Sequence, residues 1–241
     1  MIDLHCHLLP GIDDGPDTLE GSLALARIAV GNGITKAVLT PHIHPGRYNN
    51  DRDSISRDRE AFAAALASHG IPLELGFAAE VRIGPEIVPL IEQDRIPFLG
   101  LHNGDRLLLL EFPHSHIPLG SEKFVTWLLS QKIRPLIAHP ERNKDVIRNI
   151  DKINPFVEAG CLLQITAGAL VGAFGPHAQL RAEQLLQRGW VSVIASDAHN
   201  SGVRAPALEH GRQAAARIVG EPGSWSLVRD NPAAFTQGAG A

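Results

Sequence analysis

The chain has 241 residues, 44% hydrophobic and 20% charged, with a net charge of −4; this composition suits a globular fold with a large core. The acidic balance, with both signs mixed in its densest charged stretch "DRDSISRDRE", excludes a nucleic-acid-binding face. No apolar run nears the ~20 residues of a membrane span, and two cysteines, Cys6 and Cys161, are too few for a disulfide framework.

No linker, low-complexity run or short repeat marks a boundary, so residues 1 to about 235 are expected to form one unit, with about 236–241 a flexible tail. The opening Met1-Ile2-Asp3 leaves no room for a basic and apolar leader, and the expected setting is the cytoplasm.

In chain order, the run "IDLHCH" reads as a first strand, and Asp17 with Glu20 forms a capping-box pair before the helix "LEGSLALARIAV", which Gly31 and Gly33 can stop. "ITKAVLTPH" is a second strand, followed by a helix over about 52–69; "IPLELGFAAE" and "RLLLLEF" are the third and fourth strands, followed by a helix over 121–131. Then come "IRPLIAH", a helix over 144–159, "CLLQIT", a helix over 177–188 and "VSVIASDAH". The last helix spans 206–219, with Pro206 in its first turn and Gly220 just beyond. The seven strands are apolar enough to be buried on both faces, and strand alternates with helix, so the class is α/β.

Each strand run ends on a polar residue: His7, His42, Glu80, Glu111, His139, Gln164 and Asp197, at separations of 35, 38, 31, 28, 25 and 33 positions, each about one βαβ repeat. In a parallel barrel the carboxyl ends of all strands converge on one face, whereas an open sheet scatters them along an edge. A distorted (β/α)7 TIM-like barrel is therefore the expected architecture.

The residue types gathered at that face, His, Asp and Glu, suit manganese, iron or zinc. By strand alternation His5 and His7 share a face that Cys6 does not, and Asp197 shares one with His199 in "SDAH". Glu80 and Glu111 each follow a strongly apolar strand, where an ionised carboxylate needs a cation. His42 and His139 complete the ring, and Asp14 reaches it from the first loop. His44 is kept out of the ligand set, and His114 and His116 are loop residues within reach of a substrate.

Asp14, Glu80, Glu111 and Asp197 with five neutral histidines carry −4; two divalent ions neutralise that shell and three make it +2, which favours an anionic substrate. Arg142 in "HPER" and Arg204 in "DAHNSGVR" can supply forked donors to a phosphate. A cysteine-nucleophile phosphatase would carry an arginine six positions after its thiol, but Ile12 and Ala167 stand there, so both cysteines are expected in the core.

"DLHCH", "DDGP", "TPH", "AAE", "RIPFL", "LLEF", "AHPER" and "ASDAHN" followed by Arg204 together resemble the polymerase and histidinol phosphatase (PHP) superfamily. Within it the chain is similar to the manganese-dependent protein-tyrosine phosphatases of bacterial capsule and exopolysaccharide biosynthesis. The resemblance covers nearly the whole chain and implies a seven-stranded barrel with three metal ions. It implies His5, His7, Asp14, His42, Glu80, Glu111, His139, Asp197 and His199 as ligands, and Arg142 and Arg204 as catalytic phosphate-binding residues. It also implies hydrolysis of phosphotyrosine on a tyrosine autokinase tail; the expected mechanism, in-line attack by a metal-held hydroxide, needs no covalent enzyme intermediate. Cys6, His44 and "QITAGALVGAFG" depart from the pattern without removing a ligand. A small-molecule phosphatase, such as one for histidinol phosphate, and a non-catalytic metal-binding partner of the kinase are the rival readings.

Overall fold

The computed structural model describes residues 1–236, and the tail expected at about 236–241 lies, beyond Thr236, outside the described residues. Eleven strands follow one another: β1 (Ile2–Cys6), β2 (Lys36–Leu39), β3 (His42–His44), β4 (Tyr48–Asn49), β5 (Glu74–Phe77), β6 (Glu80–Arg82), β7 (Gly100–His102), β8 (Asp105–Glu111), β9 (Ile133–Ala138), β10 (Leu162–Thr166) and β11 (Val191–Ala195). The expected second and third strands are each broken in the middle, β2 from β3 at Thr40-Pro41 and β5 from β6 at Ala78-Ala79. Proline has no amide to donate to a ladder, and beside Pro41 the Thr40 hydroxyl accepts from the Cys6 N–H at 3.1 Å.

Parallel pairing joins β1 to β2 and β2 to β5 through the lower half-strands, then β3 to β6 and β6 to β8 through the upper ones. It continues from β8 to β9, β10 and β11. A parallel bridge between Cys6 and Ala198 brings the last strand back to the first; there the His7 N–H donates to the Ala198 carbonyl and the Asp197 N–H to the His5 carbonyl, each at 2.8 Å. Buried Asp3 reinforces the seam by accepting from the Ser196 N–H at 2.9 Å. The seven staves thus form the distorted barrel that the alternation implies, with the short β4 and β7 added antiparallel at its rim. Among the described residues no helix is long and apolar enough to cross a membrane.

Two packed layers hold this frame. Leu4, Val38, Leu107, Leu109, Leu136 and Val193 belong to one fully buried cluster drawn from five of the staves, the filling expected inside a barrel of this size. The alternate residues, among them Leu39, Leu108, Leu110, Ile137 and Ile194, pack in a second and larger cluster with helix residues such as Leu25, Phe62, Val125 and Leu185.

The helices depart from expectation at their ends. Thr18, not Asp17, caps the first helix (Leu19–Gly31), accepting from the Gly21 N–H, because the loop places Asp17 one residue too early. The expected helix over 144–159 is three short turns, Lys144–Arg148, Ile150–Ile153 and Asn154–Glu158. Asn143 and Asn149 each cap a new turn with their side chains, which divides the segment. The last long helix begins at Glu209, beyond Pro206, where Asn32 Oδ1 accepts from the Leu208 and Glu209 N–H groups at 2.7 and 3.0 Å. At its other end the expectation holds: Gly220, at φ 78° and ψ 164°, is not helical and stops the helix, and a second helical segment follows it to Trp225.

Candidate metal centre

The barrel carries the polar strand ends to one mouth. Glu80 opens β6, Glu111 closes β8, His139 directly follows β9 and Asp197 lies two residues beyond β11. His139 and Asp197 adopt left-handed backbone conformations, φ 33° and 51°, which cost non-glycine residues of order 1–3 kcal/mol each and persist where surrounding structure enforces them. Here the His5 carbonyl fixes the Asp197 N–H, and the His139 carbonyl accepts from the Arg142 N–H at 3.0 Å.

Eight of the nine expected ligands fall into three overlapping groups whose donor atoms lie within 4.8 Å of one another: His5, His7, Glu80 and Asp197; His7, Asp14, His42 and His199; and His42, Glu80 and Glu111. In the first, His5 Nε2 is 3.2 Å from Glu80 Oε2 and 3.3 Å from Asp197 Oδ1, and His7 Nε2 is 3.3 and 3.5 Å from the same atoms. In the second, Asp14 Oδ1 lies 3.3 Å from His42 Nε2 and 3.2 Å from His199 Nε2. In the third, His42 Nδ1 is 3.2 Å from Glu80 Oε2 and 3.8 Å from Glu111 Oε2. His139 stands outside these groups and meets the centre through Glu80 Oε1, 2.7 Å from its Nε2.

The far nitrogens of three rings are spoken for. His5 Nδ1 pairs with Gln164 Oε1 at 2.9 Å, His7 Nδ1 with Asp13 Oδ2 at 2.7 Å and His199 Nδ1 with the Asp197 carbonyl at 2.9 Å. Each acceptor holds the proton on Nδ1 and turns the Nε2 lone pair to the centre, the usual support for a metal-binding histidine.

The carboxylates carry the opposite sign of strain. Burial and then the nearby Glu80 push Glu111 up to about 9. Burial also opposes ionised Glu80, but His5, His42 and His139 around it overcome that and hold it well below the usual carboxylate range. Four buried atoms at this one place, His42 Nδ1, Glu111 Oε2, Asp197 Oδ1 and His199 Nε2, have no hydrogen-bond partner, although each such atom costs about 1–3 kcal/mol when left unpaired. A nitrogen- and oxygen-rich donor set with unpaired atoms converging fits a cluster of borderline to hard divalent cations.

Arg142 Nη1 and Arg204 Nη2 both donate to Asp197 Oδ2, the latter at 2.7 Å. Sequence reasoning missed Arg82, whose Nη2 is 3.0 Å from Glu111 Oε1, although its place two residues after Glu80 on the same strand was the signal. It also left out Asp13, adjacent to Asp14, and gave Gln164 no role beyond ending its strand. His44, Tyr48 and His114 line the same pocket, with Tyr48 stacked on His42 at 5.4 Å and 9°. His116 is instead exposed, its ring bonded to Ser115, and does not line the pocket.

The profile of the family described as "Capsular polysaccharide synthesis, CpsB/CapC" matches residues 1–237. The chain is 36% identical over 206 residues to tyrosine-protein phosphatase YwqE of Bacillus subtilis (strain 168), covering 85% of this chain and 79% of that protein. The fold superposes with a TM-score of 0.91 and 31% identity on a crystal structure from a study of YwqE from Bacillus subtilis and CpsB from Streptococcus pneumoniae, described as metal-dependent tyrosine phosphatases, covering 98% of this chain and 94% of that one. A lactonase from Listeria monocytogenes aligns with a TM-score of 0.54 at 15% identity, over 98% of this chain and 94% of the other, a likeness of fold alone.

Proposed function

The chain belongs to the CpsB/CapC family of capsular polysaccharide synthesis, and from that premise we propose that it is a metal-dependent protein-tyrosine phosphatase acting on a phosphotyrosine-bearing protein. The observation that carries this reading is the three overlapping donor groups with two guanidinium groups bonded to the same Asp197 oxygen. The proposed substrate is the tail of a bacterial tyrosine autokinase that controls capsule or exopolysaccharide synthesis, and the proposed setting is the cytoplasm.

His5, His7, Glu80 and Asp197 would hold one cation, with Asp14 and His199 contributing to a second and Glu80 and Glu111 to a third; His7 and His42 each belong to two groups but, with one lone pair per neutral ring, would each serve one cation only, and His139 orients Glu80 beside them. Manganese is the first choice for such a set, with iron or zinc as substitutes. Bound divalent cations supply Lewis acidity, which activates water and withdraws charge from phosphoryl oxygens.

The chain's own groups then divide the remaining work. Arg142 and Arg204 present forked donors at the mouth, suited to the equatorial oxygens of a phosphate. Cys6 and Cys161 are buried free thiols; burial raises Cys6 well above its usual value and pushes Cys161 up to about 12, so neither supplies a thiolate nucleophile. Desolvation and then Arg142 lower His139 to about 3 and His114 to about 4, which favours the neutral ring in both and argues against an imidazolium as general acid. A phenol, with a pKa of about 10, departs without that help far more readily than an alkanol, so the pocket suits an aryl phosphate.

The test is turnover of a phosphotyrosine peptide beside histidinol phosphate and p-nitrophenyl phosphate, with metal-stripped protein before and after manganese is restored. Manganese-restored hydrolysis of the peptide is the expected result. Faster turnover of histidinol phosphate, or kinase-tail binding without hydrolysis of any of the three, would replace this reading with one of its rivals.

A further inference from the structure

We propose that Phe174 and His114 are positioning residues that fix the plane of the Arg142 guanidinium, making Arg142 the rigid anchor for substrate phosphate while Arg204 remains the adjustable one; the inference rests on the phosphatase reading above. Arg142 ends a short turn, Pro140–Arg142, that begins just after His139. Three groups meet its guanidinium. Nη1 donates to Asp197 Oδ2, Nη2 donates to His114 Nε2 at 2.9 Å, and the central carbon lies over the Phe174 ring, 4.4 Å from its centroid.

The segment that delivers Phe174 is the stretch after β10 whose sequence matched no ligand pattern. The Ala173 N–H donates to the Gly168 carbonyl at 2.9 Å and the Gly175 N–H to the Gly172 carbonyl at 3.0 Å, so the chain doubles back on itself. A Cβ on Gly168 would stand 3.2 Å from the Phe174 ring; glycine there leaves the ring its room. Because an arginine can only donate, His114 Nε2 must accept from it, and the His114 ring is itself stacked on His139 at 5.5 Å and 26°.

Arg204 is held differently. Its Nη2 bonds only Asp197, its Nε is buried without a partner, and its loop exposes Ser201, Gly202 and Val203. A planar fork binds two phosphate oxygens only when its plane contains them, so a stacked and doubly bonded guanidinium meets the ligand with little rotational freedom left to lose.

The experiment compares manganese-loaded wild type with Phe174→Leu, Phe174→Tyr and His114→Ala. Two readouts are used: KM and kcat for a phosphotyrosine peptide with manganese bound, and, in the same proteins loaded with diamagnetic zinc instead, the exchange rate of the Arg142 Nη resonances, identified by their absence in Arg142→Lys. Phe174→Leu and His114→Ala should each raise KM about 5–10-fold, the size of a lost cation–π contact or hydrogen bond, with kcat and manganese stoichiometry held and Nη exchange accelerated. Phe174→Tyr, which keeps the ring face, should stay within about 2-fold of wild type. The proposal is overturned by an unchanged KM and Nη exchange in Phe174→Leu, by Phe174→Tyr falling as far as Phe174→Leu, or by manganese lost in step with KM. Should Phe174→Leu fail to fold, His114→Ala decides alone by the same criteria. A wild type that turns over no phosphotyrosine sinks the phosphatase reading instead, and the Nη exchange rates still decide the clamp.

Discussion

The centre has two halves that are built differently. Glu80 and Glu111 belong to barrel strands, with side chains 1% and 2% exposed, and their positions follow from the ladder of β6 and β8. Asp14 and Arg204 belong to loops, with side chains 39% and 25% exposed. A strand end delivers fixed and desolvated charge, at the cost of needing a counter-cation; a loop delivers a group that water can replace and that can move towards a ligand. This difference orders the consequences of substitution.

The largest effect belongs to Glu80, shared by two of the donor groups. Glu80→Gln should lower activity by at least ~1000-fold, and elemental analysis should find fewer bound cations; full metal occupancy would break the distinction between strand and loop. Asp14→Asn, where water can take over a coordination position, should cost about 10–100-fold and recover in part at raised manganese. An Asp14 variant as inert as the Glu80 variant would show that exposure does not grade these residues.

Further from the cations, Gln164→Ala and Asp13→Ala remove the acceptors behind His5 and His7 and should weaken metal affinity about 10-fold, read by titration calorimetry. Arg204→Ala should raise the Michaelis constant for a phosphorylated peptide several-fold while manganese affinity holds; an unchanged constant would remove Arg204 from phosphate binding.

The remaining effect falls on stability and leaves activity untouched. Buried Glu141, whose Oε1 accepts from the Thr166 N–H at 2.8 Å, is raised by burial from 4.5 to about 7. A raised acid binds its proton more tightly in the fold than in the unfolded chain. Its contribution is therefore fully present below pH 4.5 and is lost as pH rises to about 7, by about 3 kcal/mol. Glu141→Gln keeps an acceptor for Thr166, so its melting temperature should fall less than that of wild type between pH 5 and 8. Parallel pH curves for the two proteins would show that Glu141 ionises without cost.

Much of this half-and-half construction was legible residue by residue. Glu80 and Glu111 betray themselves because a carboxylate at the end of a strongly apolar run is hard to explain without a cation, and alternation pairs His5 with His7; Asp197 and His199 share the centre for another reason, since both lie beyond β11 and Asp197 turns there at φ 51°. Asp13 and Gln164 were visible but mute, since a residue that acts through another's far nitrogen leaves no pattern of its own. Arg82 was hidden because its partner, Glu111, lies on the neighbouring stave β8, and no local pattern reports that pairing. The helix starting at Glu209 was misplaced for a related reason: its N-terminal amides are satisfied by Asn32, 176 and 177 residues earlier, and no local propensity reports a cap supplied from across the fold.

The sequence by itself determined the period of strand and helix, and with it the meeting of distant polar residues at one mouth, because a right-handed βαβ unit leaves parallel strands few other ways to pack. Only the tertiary structure decided how those residues share atoms. Glu80 serves two donor groups, His139 reaches the centre through it, and the plane of Arg142 is set by a ring from the segment after β10. Those outcomes depend on ångström-scale distances between separate strands and loops, which spacing along a chain does not encode.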